Sequence, residues 1–132
     1  MAAKLAPFAV LASTLALFAC GGGDDREEVE QVVRDFVQAT NERDGERLCG
    51  DLLTQEYLEK YTGATGDGAA EACEEQLDVI SGLRLRLIAV ERVTVDGEAA
   101  TVRATIATGG QRATRRFELA KEDGDWKLNA GS

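Results

Sequence analysis

The sequence predicts an α+β domain in which N-terminal helices pack on a curved four-stranded antiparallel sheet. Between residues 26 and 81, apolar residues recur every three or four positions, which is the period of an α-helix. From Gly82 onward, apolar and polar residues alternate, which is the period of a strand with one buried face. Turn sequences at Asp96-Gly97, Gly109-Gly110 and Lys121 to Gly124 divide this second half into four strands. Helices followed by a meander indicate an α+β architecture.

The first nineteen residues have the parts of a secretory signal peptide. Lys4 supplies a positive charge, and residues 5–18 form an apolar run shorter than a spanning helix needs. The run ends in Leu17-Phe18-Ala19-Cys20, which resembles the lipobox of bacterial lipoproteins, although Phe18 is bulkier than usual. In that family the Cys carries diacylglycerol and further acyl chains such as palmitate. The resemblance therefore implies a lipid anchor on Cys20 and a location on the extracytoplasmic side of the cell membrane.

These features predict three segments. Residues 1–19 are the signal peptide, residues 20–25 are the lipidated Cys with a flexible tether, and residues 26–132 are the folded domain. The run Gly21-Gly22-Gly23 suits a solvated tether. The alternative is an ordinary secretory signal that is cut near Ala19, with Cys20 merely close to the cut.

The helical half is predicted to contain three helical stretches. In the first, Asp25 and Glu28 have the spacing of a capping-box variant. Asp44 can cap a second stretch, which Thr54 can restart, and a third runs from Ala69 to about Ser81. The buried stripe of the first helix is predicted to comprise Val29, Val32, Val33, Phe36 and Val37.

The strands are predicted from their alternation. In the first strand, Leu85 and Leu87 alternate with arginines, and the phase slips near residues 88–90, which predicts a bulge. Arg115 is the one charged residue on the apolar side of its strand. The residues predicted to face the core in the last three strands are Val102, Ala104, Ile106, Ala113, Phe117, Leu119, Trp126 and Leu128.

Three cysteines are present. If Cys20 carries lipid, Cys49 and Cys73 remain on the apolar faces of two adjacent helical stretches, and an exported location permits their oxidation. We therefore predict a Cys49–Cys73 disulfide, with two buried free thiols as the alternative. The chain has no His, and two isolated Cys lack the paired spacing of a zinc site, so no metal or other cofactor is predicted.

The order of elements and the ending Gly124-Asp125-Trp126-Lys127-Leu128 resemble the nuclear transport factor 2-like superfamily, which includes ketosteroid isomerases and SnoaL-like cyclases. The first helix, with Val33 to Val37 followed by Asn41 to Gly45, is also typical of it. The resemblance covers about residues 25–130, and the chain is similar to small secreted actinobacterial members with a helix-to-helix disulfide. It implies a cone-shaped fold, of cystatin-like topology, that encloses a pocket. It does not imply a reaction, because this fold hosts enzymes, binders and scaffolds. Another helix-on-meander domain, such as a cystatin-like one, is the alternative.

Pocket candidates are few. Tyr57, Tyr61 and Trp126 are aromatic candidates, and Arg115 near a turn could hold a carboxylate or phosphate. An isomerase, dehydratase or cyclase would pair a tyrosine with a pocket carboxylate such as Asp44 or Asp78. Each has a simpler interpretation. Helically spaced tyrosines usually pack at the core rim, Asp44 suits a helix cap, and a position beyond the core edge would equally explain Arg115. We therefore predict a non-enzymatic ligand-binding or protein-interaction domain, with such an enzyme as the alternative.

The charges are unevenly distributed. Residues 24–83 hold 5 basic and 17 acidic residues, whereas residues 84–132 hold 9 basic and 7 acidic residues. The outer sheet face is either a solvated surface or a docking face for a protein partner, a second copy or anionic lipid headgroups. Nucleic acid is not expected, because the net charge is negative and no aromatic residues are interleaved with the arginines. The arginines predicted on this face are Arg84, Arg86, Arg103, Arg112 and Arg116.

Overall fold

The computed structural model describes residues 23–79, 82 and 84–131, and these form helices packed on one four-stranded antiparallel sheet. The signal peptide, Cys20 and the first residues of the predicted tether lie outside this range, as does Ile80 at the end of the third predicted helix. Within the described part of the chain, no helix is both long and apolar enough to span a membrane. The predicted α+β fold class is confirmed.

The helical half begins with α1, Gly23–Glu42, followed by the short helix α2, Gly45–Arg47, which continues into a π-helical turn, Leu48–Leu52. Helices α3, Gln55–Thr62, and α4, Asp67–Val79, complete it. Asp44 caps α2 by accepting a hydrogen bond from the Arg47 amide, and Thr54 caps α3 by accepting one from the Tyr57 amide. Both predicted caps are therefore confirmed.

The start of α1 differs from the prediction. The helix begins at Gly23, so the last residues of the predicted tether are already helical. Asp25 lies inside the first turn, and its carboxylate accepts a hydrogen bond from the Trp126 indole instead of capping the helix. The capping-box interpretation of Asp25 is wrong, because this tertiary partner from the far end of the chain engages the side chain.

The sheet consists of β1, Leu85–Asp96, β2, Ala99–Thr108, β3, Gln111–Glu122, and β4, Asp125–Gly131, in the order β1-β2-β3-β4. All three predicted turns join adjacent antiparallel strands. The predicted bulge in β1 is present, since the register shifts between Leu87 and Ala89. A second shift follows between Val90 and Arg92. Bulges increase the local twist and bend the strand, which curves the sheet around the helices.

The core lies between α1 and the concave face of the sheet. Val29 and Val33 of α1 and Val102 and Ala104 of β2 are fully buried. These positions follow the helical and strand periods, as predicted. Val32 and Phe36 are only partly buried, and Ala113 is exposed because it lies close to the β2–β3 turn, so its predicted place in the core is wrong. Leu53 pairs with Leu128 in a short bridge beyond the sheet. This bridge holds the beginning of α3 against β4.

A disulfide joins Cys49 in the π-helical turn to Cys73 in α4, with an S–S distance of 2.05 Å. Both cysteines are buried. Just before this turn, Gly45 allows α2 to approach α4 closely, because a Cβ on it would lie 3.1 Å from the Cγ atom of Glu74. The predicted disulfide is confirmed, and the alternative of two free thiols is wrong.

Candidate functional site

The candidate site consists of two adjoining cavities, which we call its inner and outer parts, between the helices and the end of the sheet that contains the β2–β3 turn. Its inner part has a volume of about 180 Å³ and lies under α1, α3 and α4. Its outer part has a volume of about 350 Å³ and opens along the concave face of the sheet. Phe36, Tyr57 and Leu85 line both parts and form the boundary between them.

The inner part is mainly apolar. Leu48 and Leu53 are buried in its wall, and Leu77 contributes from α4. The Thr40 hydroxyl also lines it but donates a hydrogen bond to the Phe36 carbonyl at 2.7 Å, so that donor is already used. The Gln76 amide is a polar group on this wall without a hydrogen-bond partner among the described residues. A wall of this kind favours an apolar ligand with one polar point of contact.

Two tyrosines of α3 stand at this cavity. Residues four positions apart lie on the same helix face, which explains why Tyr57 and Tyr61 stack with ring centroids 6.1 Å apart and planes at 30°. Tyr61 is half exposed, with 51% of its surface accessible. Burial, followed by the nearby Tyr61 hydroxyl, raises the pKa of Tyr57 above its ordinary value. Tyr57 is therefore a neutral hydrogen-bond donor at physiological pH.

Arg115 lies on the concave face of β3, where its register partner is the buried Ala104. It is exposed and lines the outer part of the cavity together with Thr108, Phe117 and Gly131. Phe117 packs edge-on against Phe36 at 5.9 Å and closes the cavity toward the core. The guanidinium of Arg115 is thus the charged group at the mouth of the cavity.

Trp126, the third aromatic pocket candidate, does not line either part of this cavity. Alternation correctly places Trp126 on the core side, where only 4% of its surface is accessible. It is the second residue of β4, next to the β3–β4 turn, and its indole is directed to Asp25 at the opposite end of the domain from the cavity mouth. Alternation predicts the face of a strand on which a residue lies, but not how far along the strand the residue lies from the cavity mouth.

The predicted carboxylates are not brought to the cavity by any described contact. Asp44 caps α2 through the Arg47 amide at 3.1 Å. The side chain of Asp78 lies outside the described part of the structure. No Asp or Glu is among the described residues that line either part of the cavity. The cavity therefore unites two tyrosines and an arginine with an apolar wall, without a described acid or base beside them.

Asn41 positions the cavity's edge and was not singled out from the sequence. Its side-chain amide donates to the Leu85 carbonyl and accepts from the Leu85 amide, both at 2.7 Å. This pair of bonds imitates a strand partner and fixes the start of β1 to the end of α1. Its sequence signal was the motif Asn41 to Gly45 at the end of an amphipathic helix, which does not distinguish this role from a cap.

The five arginines predicted on the outer sheet face are all exposed. Arg86 and Arg112 flank Ala107 in register, while Arg103 and Arg116 are direct neighbours on β2 and β3. Arg84 precedes β1 and lies beside the β2–β3 turn. Arg92, which had not been singled out, is the register partner of Arg103. Its position directly before the inward-facing Val93 was the signal that could have identified it.

Comparison with known proteins identifies both a family and a fold. Residues 24–130 match the family model described as "Putative lumazine-binding". A search of the curated proteins finds no significant match. A protein with a cystatin-like fold from Caulobacter vibrioides superposes with a TM-score of 0.59 at 18% identity, covering 83% of this chain and 87% of that one.

Two further structures have the same fold. A nuclear transport factor 2-like protein from Cytophaga hutchinsonii has a TM-score of 0.58 at 18% identity over 81% of this chain and 94% of its own. A "Putative Scytalone Dehydratase" from Novosphingobium aromaticivorans has a TM-score of 0.54 at 19% identity over 82% and 81%. At these identities the similarity establishes the nuclear transport factor 2-like fold, as the sequence resemblance implied.

Proposed function

This chain belongs to the family whose model matches residues 24–130, and we propose that it binds a small amphipathic ligand in the cavity without chemically changing it. The observation that carries this proposal is the distribution of polarity in the cavity. The inner part is lined mainly by apolar side chains, and the Arg115 guanidinium lies at the outer part. A ligand with an apolar body and an anionic head group would match both.

The size of the cavity limits the ligand. An apolar cavity of about 150 Å³ is large enough for a single aromatic ring. The inner part, at about 180 Å³, therefore suits one ring or a short branched chain. The stacked pair Tyr57 and Tyr61 adds aromatic surface for a planar group. The family description names lumazine, a planar bicyclic compound, which we therefore test beside single-ring compounds; its second ring would have to extend into the outer part.

Enzymatic activity of the isomerase, dehydratase or cyclase type is the second candidate. It is favoured by the fold that this chain shares with the scytalone dehydratase-like structure and by the tyrosines at the cavity. Such chemistry uses a carboxylate near the reacting carbon. The described lining supplies Tyr57 and Tyr61 but no carboxylate, and this is why binding without reaction is our preferred function.

We further propose that the domain is held on the extracytoplasmic side of a cell membrane by lipid on Cys20. The support is the charged, apolar and small-residue pattern of residues 1–20. Two acyl chains anchor a protein stably, whereas one does not. The disulfide is also of a kind expected in an oxidising compartment.

Titration calorimetry would test the ligand proposal with lumazine and with a matched pair, phenylacetate and its uncharged amide. We expect phenylacetate to bind more tightly than the amide, because only the acid can pair with Arg115. Arg115→Gln should abolish this preference. Arg112→Gln is the matched control, since Arg112 lies three residues earlier on the same strand but on its outer face.

Leu77→Trp, which fills the inner part, should abolish binding of all three compounds. Binding that Leu77→Trp leaves unchanged would place the ligand elsewhere and overturn the proposal.

Metabolic labelling with a fatty acid would test the anchor. The mature protein should carry the label and enter the detergent phase, whereas Cys20→Ala should do neither. Its Cys49–Cys73 disulfide should nevertheless form, since both cysteines belong to the domain core. If the intact protein sedimented with the membrane but carried no acyl label, the proposed lipid anchor on Cys20 would be wrong.

A further inference from the structure

Three arginines form a row across the outer face of the sheet, which we call the arginine row. Arg92 on β1 lies opposite Arg103 on β2, which lies opposite Arg116 on β3. Neighbouring strands are about 4.8 Å apart, so the three side chains leave the sheet close together. All three are exposed. Like charges directly opposite each other destabilise a sheet, and an anion on this face would relieve that repulsion.

The surroundings of the arginine row provide hydroxyl donors and two carboxylates, those of Glu118 and of Glu91, which accepts a hydrogen bond from Thr105 at 2.6 Å. Threonines flank it on both sides, and the row and its neighbours line a shallow groove of about 740 Å³. Among the described residues, the ion pair made by the row is between Arg116 and Glu118, at 3.6 Å and largely exposed. Exposed pairs of this kind contribute little. The flanking threonines that line the groove are Thr94, Thr101 and Thr114.

Beyond the arginine row, two further arginines extend the positive charge toward the β2–β3 turn. Arg86 and Arg112 both pair in register with Ala107, which lies between them. With Arg84 beside the β2–β3 turn, the outer face of the sheet thus presents six arginines. Residues 24–83, which supply the helices, carry 5 basic and 17 acidic residues. The domain therefore has one positive face and one strongly negative side.

We propose that the outer sheet face binds the phosphate groups of an anionic phospholipid surface and so orients the tethered domain. This inference rests on the proposed anchor at Cys20. Only Gly21 and Gly22 separate Cys20 from the start of α1 at Gly23. Three residue steps span at most about 10 Å, which is close to the Debye length of ~8 Å at physiological salt. At that distance the surface charge of the membrane acts on the domain.

The two sides of the domain respond oppositely to this surface. Apart from the start of α1, which the anchor holds close to the surface, the acidic helical side is repelled by anionic lipid, whereas the arginine row is attracted to it. Guanidinium groups suit phosphate oxygens because they donate two parallel hydrogen bonds. The domain should therefore rest on the membrane through the outer face of the sheet. The mouth of the ligand cavity, on the concave side, then stays accessible from the solvent.

The test compares vesicles of phosphatidylcholine alone with an equal mixture of phosphatidylcholine and phosphatidylglycerol. The mature protein is added to each, and modification of individual arginines by phenylglyoxal is followed by mass spectrometry. We expect Arg92, Arg103 and Arg116 to react several-fold more slowly on the mixed vesicles, and at equal rates on neutral vesicles and in solution. High salt should remove the protection, because the Debye length falls to ~3 Å at 1 M.

Charge reversal provides the matched comparison. The double variant R103E/R116E should lose the protection of Arg92 and Arg112 on mixed vesicles. The control R34E/K60E changes the net charge equally on the helical side, where both residues are exposed, and should keep that protection. Equal modification rates on both kinds of vesicle would overturn the proposal. Protection of the arginines in solution that increases with protein concentration would also overturn the proposal, because a second copy of this chain would then cover the outer sheet face.

Different results would refute the lipid anchor and the binding of phospholipid by the outer sheet face. A protein acylated on Cys20 sediments with neutral vesicles. A protein that binds only through the outer sheet face sediments with anionic vesicles alone. Protein that sediments and is protected only with mixed vesicles would refute the anchor and support the face. Protein that sediments with both kinds of vesicle but is protected on neither would support the anchor and refute the face.

Discussion

The indole Nε1 of Trp126 donates a hydrogen bond to the Asp25 carboxylate at 3.1 Å, across 101 positions of sequence. The Lys121 ammonium lies 3.5 Å from the same carboxylate oxygen and 5.3 Å from the centre of the Trp126 ring. The first turn of α1 is therefore fastened to the β3–β4 hairpin by one buried indole and one shared cation. This contact closes the end of the domain that lies opposite the cavity mouth.

Removing the acceptor should destabilise the domain. Asp25→Ala leaves the indole N–H of the buried Trp126 without its partner, which costs about 1–3 kcal/mol. Urea unfolding, followed by far-UV circular dichroism, measures the change. Glu27→Ala is the control, because Glu27 is exposed on the same helix and has the same substitution. Equal losses in the two variants would show that helix composition, and not the indole hydrogen bond, is responsible.

The Asp25–Trp126 contact also shows what sequence patterns can and cannot predict. The periods of three to four and of two residues identify helices, strands and buried faces, because burial on one side imposes them locally. Asp25 was assigned to a cap and Trp126 to a pocket, since a contact between the chain's two ends leaves no local pattern. The core-side position of Trp126 was predicted correctly. The end of the sheet at which it lies was not, because it is next to the β3–β4 turn and not at the cavity.

The candidate site was predictable to a similar extent. Arg115 attracted notice because it breaks an apolar alternation, and the structure places it at the cavity mouth. The stacking of Tyr57 on Tyr61 follows from helical spacing. The role of Asn41 depends on where β1 begins in space, and the pairing of Arg92 with Arg103 depends on the register after two bulges. Such relations between distant elements arise only when the sheet assembles.

The disulfide should account for a large part of the domain's stability. The double variant Cys49→Ala/Cys73→Ala opens a loop with a sequence separation of 24 residues, which should cost about 3 kcal/mol in the chain-entropy model. The measurement is urea unfolding in the absence of reductant. Addition of dithiothreitol should lower the stability of the wild type but leave the double variant unchanged. A wild type that is insensitive to complete reduction would contradict this explanation.

The connection between α3 and α4 should weaken in acid. The Glu59 carboxylate accepts hydrogen bonds from the Gly66 amide at 3.0 Å and from the Gln55 amide at 3.1 Å. These bonds lower the pKa of Glu59 in the folded state, the Gly66 amide having the larger effect. The stabilisation is therefore complete above the ordinary pKa of a glutamate and is lost as the pH falls through the lowered value.

Glu59→Gln should accordingly be less stable than the wild type at neutral pH, and the difference should shrink as the medium becomes acidic. Urea unfolding at a series of pH values measures it. Glu56→Gln is the control, because Glu56 is exposed on the same helix and the pair Glu59–Gly66 does not involve it. A stability difference that stays constant with pH would show that the charge of Glu59 is not the cause.

Asn41 should control both the stability of the domain and the shape of the cavity. Its amide makes two hydrogen bonds of 2.7 Å to the backbone of Leu85, and Leu85 lines both parts of the cavity. Asn41→Ala removes both bonds and leaves the start of β1 without that partner, which should cost about 1–3 kcal/mol. The Leu85 amide should then exchange its hydrogen with deuterium faster, because the bond that protects it is lost.

The same variant should weaken phenylacetate binding through a less ordered Leu85, while leaving the preference of the acid over its amide intact, because Arg115 is unchanged. Gln38→Ala is the control, since Gln38 lies one helical turn earlier and bonds to the exposed Glu42. If Asn41→Ala lowered stability but not affinity, Leu85 would be a structural residue only. If it removed the preference for the acid, Asn41 would be acting on the head group, and the division of the cavity into an apolar inner part and a charged mouth would need revision.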